Sequence, residues 1–215
     1  MQNHRYIAIE GPIGVGKTTL ANRLAERLGG TVLLEQVEEN PFLPSFYDDP
    51  LKYAFQAQMF FLLSRFQQQQ ALWQQDLFSQ LTVSDYVFAK DRIFAALTLR
   101  PDEHALYERV ASLLDARVAK PDLVVYLQAR PDVLLGRIRK RGRDFERHIE
   151  AEYLEALSKA YSDFFFHYEE TPLLVVNAND VDLAGSDEEL DALIHVIRKH
   201  RAGTQHYVPM GTRTR

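Results

Sequence analysis

The sequence predicts an α/β fold, a five-stranded parallel sheet with helices on both faces. Short apolar runs rich in β-branched residues alternate with longer segments of helical period, as when helices cross over between parallel strands. The runs are apolar throughout rather than alternating, which is the pattern of strands buried on both faces. A glycine-rich stretch, Gly11–Thr18, stands between the first run and the first helical segment, where such sheets hold anions.

Taken in order, the strands are expected at Tyr6–Glu10, Thr31–Glu35, Leu81–Asp85, Leu123–Leu127 and Leu173–Val176. The helices are expected at Lys17–Leu28, from about Leu51 to Phe78, and at Asp102–Ala119, Pro131–Lys140, Ala151–Tyr168 and Asp187–Arg201. Pro121 and Pro172 each stand just ahead of a strand, where the preceding helix has to have ended. Ser186 and Glu189 have capping-box spacing. Gln67–Gln70, with Gln74 and Gln75, reads as a solvated helix face. A single domain over residues 1–202 and a loose tail over 203–215 are expected.

Composition narrows the function. The 215 residues contain no cysteine, which removes disulfides, zinc–thiolate sites and cysteine nucleophiles and suits a reducing cytoplasm. The longest strongly apolar run, Met59–Leu63, is too short to span a bilayer, and the amino terminus runs into a strand without a secretory apolar region. A net charge of -5 argues against broad binding to nucleic acid or anionic membrane. Any polyphosphate must therefore meet a local cationic site.

Gly11-Pro12-Ile13-Gly14-Val15-Gly16-Lys17-Thr18 supplies that site, matching G-x-x-x-x-G-K-[ST] in full, with Thr19 next in line. Glycines let backbone N–H groups converge on phosphate oxygens, and the helix N-terminus adds positive charge. Lys17 is placed to reach the β and γ phosphates, and the Thr18 hydroxyl to ligate Mg²⁺.

Two further features point to phosphoryl transfer onto an alcohol. Glu35 closes the second apolar run, at the sheet end that faces the ligand crevice, where a carboxylate can take the proton of an attacking hydroxyl. Glu38 and Glu39 lie close enough in sequence to compete for that role. The second feature is Arg137-Ile138-Arg139-Lys140-Arg141-Gly142-Arg143, a cationic cluster suited to a lid over the transferred group. Arg137 and Arg141 share one helix face, and Gly142 permits a sharp exit towards Arg143.

The chain at this point resembles the deoxynucleoside kinase family, and within it the bacterial purine-type branch. The resemblance rests on Glu39-Asn40-Pro41-Phe42-Leu43, Phe46-Tyr47, Tyr53-Ala54-Phe55-Gln56, Phe61-Leu62-Leu63-Ser64-Arg65, Ser84-Asp85-Tyr86, Ile93-Phe94-Ala95 and Arg141-Gly142-Arg143. It implies a P-loop kinase three-layer sandwich with an arginine-rich lid, acting with ATP and Mg²⁺ on a deoxynucleoside, and a homodimer. By the same resemblance, Glu35 is the general base for the 5′-hydroxyl, and Tyr47 and Glu146 hold the sugar 3′-hydroxyl. Gln58 hydrogen-bonds the base, Arg65 lies beside the base pocket, and Arg137, Arg141 and Arg143 serve the lid. Asp85 supplies the acid that sits near Mg²⁺ or orders the site. Gln58 and Arg65, two helical turns apart, fall on one side of a helix crossing the pocket.

One departure stands out. The family follows the acid of its third strand with arginine, and here Tyr86 stands there. Lys90 and Arg92 are the candidates to replace that arginine, and either Lys90 or Asp91 aligns beside the base. Asn177-Ala178-Asn179-Asp180, after the last strand, is where contacts to the donor base are expected. The apolar run Met59–Leu63 suits either a dimer face or the core. A thymidylate-type monophosphate kinase and a nucleotide-driven switch remain the alternatives.

Overall fold

The structure, a computed structural model, describes residues 4–75, 81–147, 149–181 and 185–209. Six strands form one sheet in the order β2-β3-β1-β4-β5-β6, all parallel. They are β1 (Tyr6–Glu10), β2 (Thr31–Leu33), β3 (Thr82–Ser84), β4 (Leu123–Gln128), β5 (Leu173–Asn177) and β6 (Thr204–Tyr207). The helices are α1 (Lys17–Leu28), α2 (Leu43–Asp48), α3 (Pro50–Gln75), α4 (Asp91–Thr98), α5 (Pro101–Asp115), α6 (Pro131–Arg141), α7 (Ala151–Phe166) and α8 (Asp187–Lys199).

Strand alternation divides the core into two layers. Ile7, Ile9, Val125, Leu127, Leu174 and Val176 face one way, onto Leu20 and Leu24 of α1, Leu134 and Ile138 of α6, and Leu193 and Ile197 of α8. Tyr6, Ala8, Val124, Tyr126, Leu173 and Val175 face the other way, onto Leu157, Tyr161 and Phe165 of α7 and Ile93 of α4. Each fully buried aliphatic or aromatic side chain contributes roughly 1.5–3 kcal/mol relative to exposure, so the central strands anchor the molecule. In this order the connections from the adjacent strands β1 (to β2) and β3 (to β4) run in opposite directions, which opens a crevice at their carboxyl ends.

Several expectations need correction. The sheet has six strands, and the sixth lies within the segment expected to be a loose tail. Thr204–Tyr207 pairs in parallel with β5, Leu173 with Thr204 through Val176 with Tyr207. Its Thr-Gln-His-Tyr sequence is mostly exposed at the sheet edge, so no apolar run marks it. The remainder of that tail, residues 210–215, lies outside the described residues. At the opposite edge β2 is exposed rather than buried on both faces, with Val32 40% exposed. The end expected for the long helix at Phe78 also lies outside the described residues.

The glutamine tract is not a uniformly solvated face. Gln69 is buried and donates to the Tyr6 hydroxyl at 2.8 Å, and Gln68 donates to the Leu34 carbonyl at 3.0 Å. Both tie α3 to the sheet. The run Met59–Leu63 is divided by the helical turn: Leu62 is buried, Phe61 faces a cavity and Leu63 is 46% exposed.

Candidate active site

A cavity of about 470 Å³ opens above the carboxyl ends of β1, β2 and β3, the size of a small-molecule site. Its floor is the phosphate loop. Ile13, Gly14, Lys17 and Thr18 line it, while Gly11, Pro12 and Val15 are buried beneath and Gly16 caps α1. Thr19 is exposed on the first turn of α1. Gly14 has φ +84°, and a Cβ there would stand 2.7 Å from Ile138 Cγ1 and 2.9 Å from the Leu134 carbonyl. Only glycine brings the loop this close to α6.

The Lys17 ammonium donates to the carbonyls of Gly11 (2.7 Å) and Pro12 (3.2 Å). Burial, reinforced by the charge of Lys90, pushes its pKa down to about 8. The Thr18 hydroxyl donates to Asp85 Oδ2 at 2.5 Å, and Asp85 Oδ1 accepts the Glu35 amide at 2.7 Å. Asp85 thereby ties the phosphate loop to the end of the second strand. The Thr18 hydroxyl and the Asp85 carboxylate are adjacent hard oxygen donors, which fit Mg²⁺. Mg²⁺ commonly keeps several waters and takes phosphate oxygens beside one or two carboxylates.

Glu35 lies on the wall of the same cavity with both carboxylate oxygens engaged. Oε1 accepts from Arg65 Nε (2.9 Å) and Nη2, and Oε2 accepts from Lys90 Nζ (2.8 Å). Burial pushes the carboxyl up, but the Arg65 and Lys90 cations outweigh it and hold the group well below the usual carboxylate range. Glu35 is therefore an ionised, oriented acceptor. Glu38 and Glu39 also line the cavity, from the short turn Val37–Glu39. Glu38 is 72% exposed at its side chain and pairs with Arg143 at 3.4 Å.

The cationic cluster separates into two parts. Arg141, the last residue of α6, and Arg143, just past the left-handed Gly142 (φ +71°), line the cavity. Arg141 pairs with the buried carboxylate of Glu146. Arg137, one turn earlier, does not line this cavity: it donates to the Val15 carbonyl (3.2 Å) and the Ala178 carbonyl (2.8 Å). It thus clamps the phosphate loop to the segment after β5. In that segment Asn179 Oδ1 accepts the Arg130 amide at 2.7 Å, and Asn177 Oδ1 accepts from Asn179. None of these residues lines this cavity either.

Tyr47 stands beside Glu146 and stacks on Phe145, with ring centroids 6.2 Å apart. Burial, with Tyr153 and Glu146 nearby, pushes its hydroxyl well above the usual value. On α3, Gln58 and Arg65 do share the side that faces the cavity. Gln58 Nε2 donates to Thr98 Oγ1 (3.4 Å), whose own proton goes to the Phe94 carbonyl (2.7 Å). Arg65 also forms an ion pair with buried Asp91 and lies against the rings of Phe61 and Tyr86. Lys90 and Asp91 therefore take separate places, Lys90 at Glu35 and Asp91 at Arg65. Arg92 points elsewhere, to Glu108 and Asp115.

Tyr153 was not anticipated. It lines the cavity, and its buried hydroxyl has no hydrogen-bond partner among the described residues. The aromatic next to Leu154 on α7 was the available signal, but nothing in the sequence separates it from the core tyrosine of the same helix, Tyr161.

With this geometry in place, the comparisons with known proteins agree. The sequence profile of the deoxynucleoside kinase family matches residues 7–201. The deoxyguanosine kinase of Bacillus subtilis (strain 168) is 43% identical over 162 residues, 75% of this chain and 78% of the relative. A deoxyadenosine/deoxycytidine kinase of the same organism is 30% identical over 202 residues, 89% of this chain and 90% of the relative. The structure of deoxyadenosine kinase from M. mycoides with bound dATP superposes with a TM-score of 0.78 at 27% identity, covering 90% of this chain and all of that one. No helix among the described residues is long and apolar enough to cross a membrane. The cavity, the phosphate loop beneath it and these relatives lead to one assignment: the chain belongs to the deoxynucleoside kinase family, phosphotransferases with an alcohol acceptor.

Proposed function

We propose that this kinase transfers the γ-phosphoryl group of ATP, with Mg²⁺, to the 5′-hydroxyl of deoxyguanosine or deoxyadenosine in nucleotide salvage. One observation carries the reading: the ionised Glu35 carboxylate, held between Arg65 and Lys90, shares a cavity with Lys17 of the phosphate loop. A hydroxyl seated between them has a proton acceptor on one side and the phosphate cradle on the other.

The sugar end of the acceptor rests on Tyr47 and Glu146, and the base reaches Gln58 and Arg65. Thr98 uses its proton on Phe94 and accepts from the Gln58 amino group, which leaves the Gln58 carbonyl oxygen for a base N–H. Names of relatives support a purine acceptor, since they include a deoxyguanosine kinase and a deoxyadenosine/deoxycytidine kinase. Lys17 and the loop amides hold the donor phosphates, and Arg141 and Arg143 lie where charge develops on the transferred group. Thr18 and Asp85 would hold Mg²⁺, which when bound neutralises charge on the donor phosphates. A homodimer is part of the proposal, with the exposed Leu63 of the Met59–Leu63 run as apolar surface available to it.

The test is a phosphorylation panel of the four natural deoxynucleosides and their monophosphates with ATP and Mg²⁺. Purine deoxynucleosides are expected to turn over fastest and monophosphates not at all. A preference for thymidine or for a monophosphate would overturn the reading.

A further inference from the structure

We propose that Lys90 is a positioning residue of the phosphoryl-transfer site, locking the second oxygen of Glu35 so that the carboxylate keeps one orientation towards the acceptor hydroxyl. The inference rests on the reading of Glu35 as the proton acceptor.

The geometry divides the work between two cations. Arg65 grips Oε1 alone, and Lys90 grips Oε2 alone. A glutamate's terminal torsion is broad and roughly two-fold, so a carboxylate anchored by one oxygen swings. Anchored by both, it does not. Arg65 also serves buried Asp91, so it is a shared cation, whereas Lys90 is only 4% exposed and its ammonium engages Glu35.

The backbone that carries Lys90 is itself indexed to the phosphate loop. Lys90 ends the short turn Phe88–Lys90, whose first bond runs from the Lys90 amide to the Val87 carbonyl (3.1 Å). The Val87 amide donates to Glu10 Oε2 (2.9 Å). The other oxygen of Glu10 accepts from the Gly11 amide (2.8 Å) and the Tyr161 hydroxyl (3.1 Å). A fully buried carboxylate thus joins the first residue of the phosphate loop to the turn that presents Lys90. The distance between proton acceptor and donor phosphates is set through this chain of contacts rather than by Glu35 alone.

The experiment compares steady-state kinetics of wild type, Lys90→Met, Lys90→Gln, Lys90→Arg, Glu35→Gln and the double variant Glu35→Gln/Lys90→Met, each checked for native circular dichroism. Lys90→Met or Lys90→Gln is expected to lower kcat by about 10–100-fold, the scale of a small misplacement at a reacting centre, with the ATP KM within about twofold. Lys90→Arg should recover most of the loss, because its guanidinium can still reach Oε2. The double variant should be no more than about twofold slower than Glu35→Gln, since a residue acting through Glu35 has nothing left to position. Equal losses in the Arg, Gln and Met variants, multiplicative losses in the double variant, or a kcat of every Lys90 variant within twofold of wild type would each overturn the proposal. A wild-type enzyme that phosphorylates no deoxynucleoside would instead overturn the underlying reading, and the proposal with it.

Discussion

Arg141 holds Glu146 through paired hydrogen bonds, Nη2 to Oε1 at 2.6 Å and Nε to Oε2 at 3.1 Å, with Glu146 only 4% exposed. Arg143 approaches the same carboxylate at 3.7 Å. One acid therefore restrains both cavity arginines while also standing beside Tyr47, at the proposed sugar end. Replacing Glu146 with Ala frees the arginines and removes the proposed sugar acceptor together. The nucleoside KM is expected to rise by about 10–100-fold, as for loss of hydrogen bonds to a charged group, with the ATP KM within about twofold. Initial rates at saturating ATP measure this, and an unchanged nucleoside KM would remove Glu146 from acceptor binding.

Glu35 serves stability as well as its proposed catalytic role. Glu35→Gln keeps the shape but cannot take a proton, so kcat should fall by about 10²–10⁴ with ATP binding nearly intact. Glu35→Ala goes further, leaving Arg65 and Lys90 buried without their partner. Breaking one side of a buried ion pair costs about 3–5 kcal/mol, and the midpoint of urea unfolding should fall clearly below that of Glu35→Gln. Equal midpoints for the two variants would mean that water or Asp91 already compensates the cations.

Asp85 joins the Thr18 hydroxyl to the Glu35 amide. An asparagine preserves one acceptor and loses the negative charge that a divalent cation requires. For Asp85→Asn the Mg²⁺ concentration giving half-maximal rate should rise by about 10–100-fold, the usual cost of a lost partner at a metal site. A Mg²⁺ titration of the rate at fixed ATP decides it. Unchanged Mg²⁺ dependence would leave Asp85 as a purely structural link.

Features carried by contiguous residues were legible in the sequence. The phosphate loop is one unbroken motif, β1, β4 and β5 are continuous apolar runs, and Glu35 follows such a run directly. Features that depend on what meets across the fold were not. Lys90 reaches Glu35 across 55 positions of chain, and only the turn after β3 shows that it, rather than Arg92, points inward. β6 reads as tail because an edge strand needs no apolar face. Arg137 falls in the same basic cluster as Arg141, yet a short difference along α6 turns one towards carbonyls and the other towards the cavity. Gln69 reads as surface until the Tyr6 hydroxyl is placed beside it.

Gly14 offers a test of how tightly the loop is held. Its φ of +84° is unfavourable for alanine, and the added methyl would press on Ile138 and on the Leu134 carbonyl of α6. The carbonyl belongs to helical backbone and cannot yield as the Ile138 side chain can. Gly14→Ala should therefore cost about 1–3 kcal/mol of backbone strain, lowering Tm by roughly 2–4 °C for each kcal/mol in a chain of this size. Strain displaces the loop amides from the donor phosphates, so the ATP KM should rise while the nucleoside KM stays within about twofold. Adding Ile138→Val relieves only the contact with the side chain and is expected to restore a minor part of the Tm loss. Complete restoration by Ile138→Val would place the whole effect in side-chain crowding and none in the backbone, against the geometry of the loop.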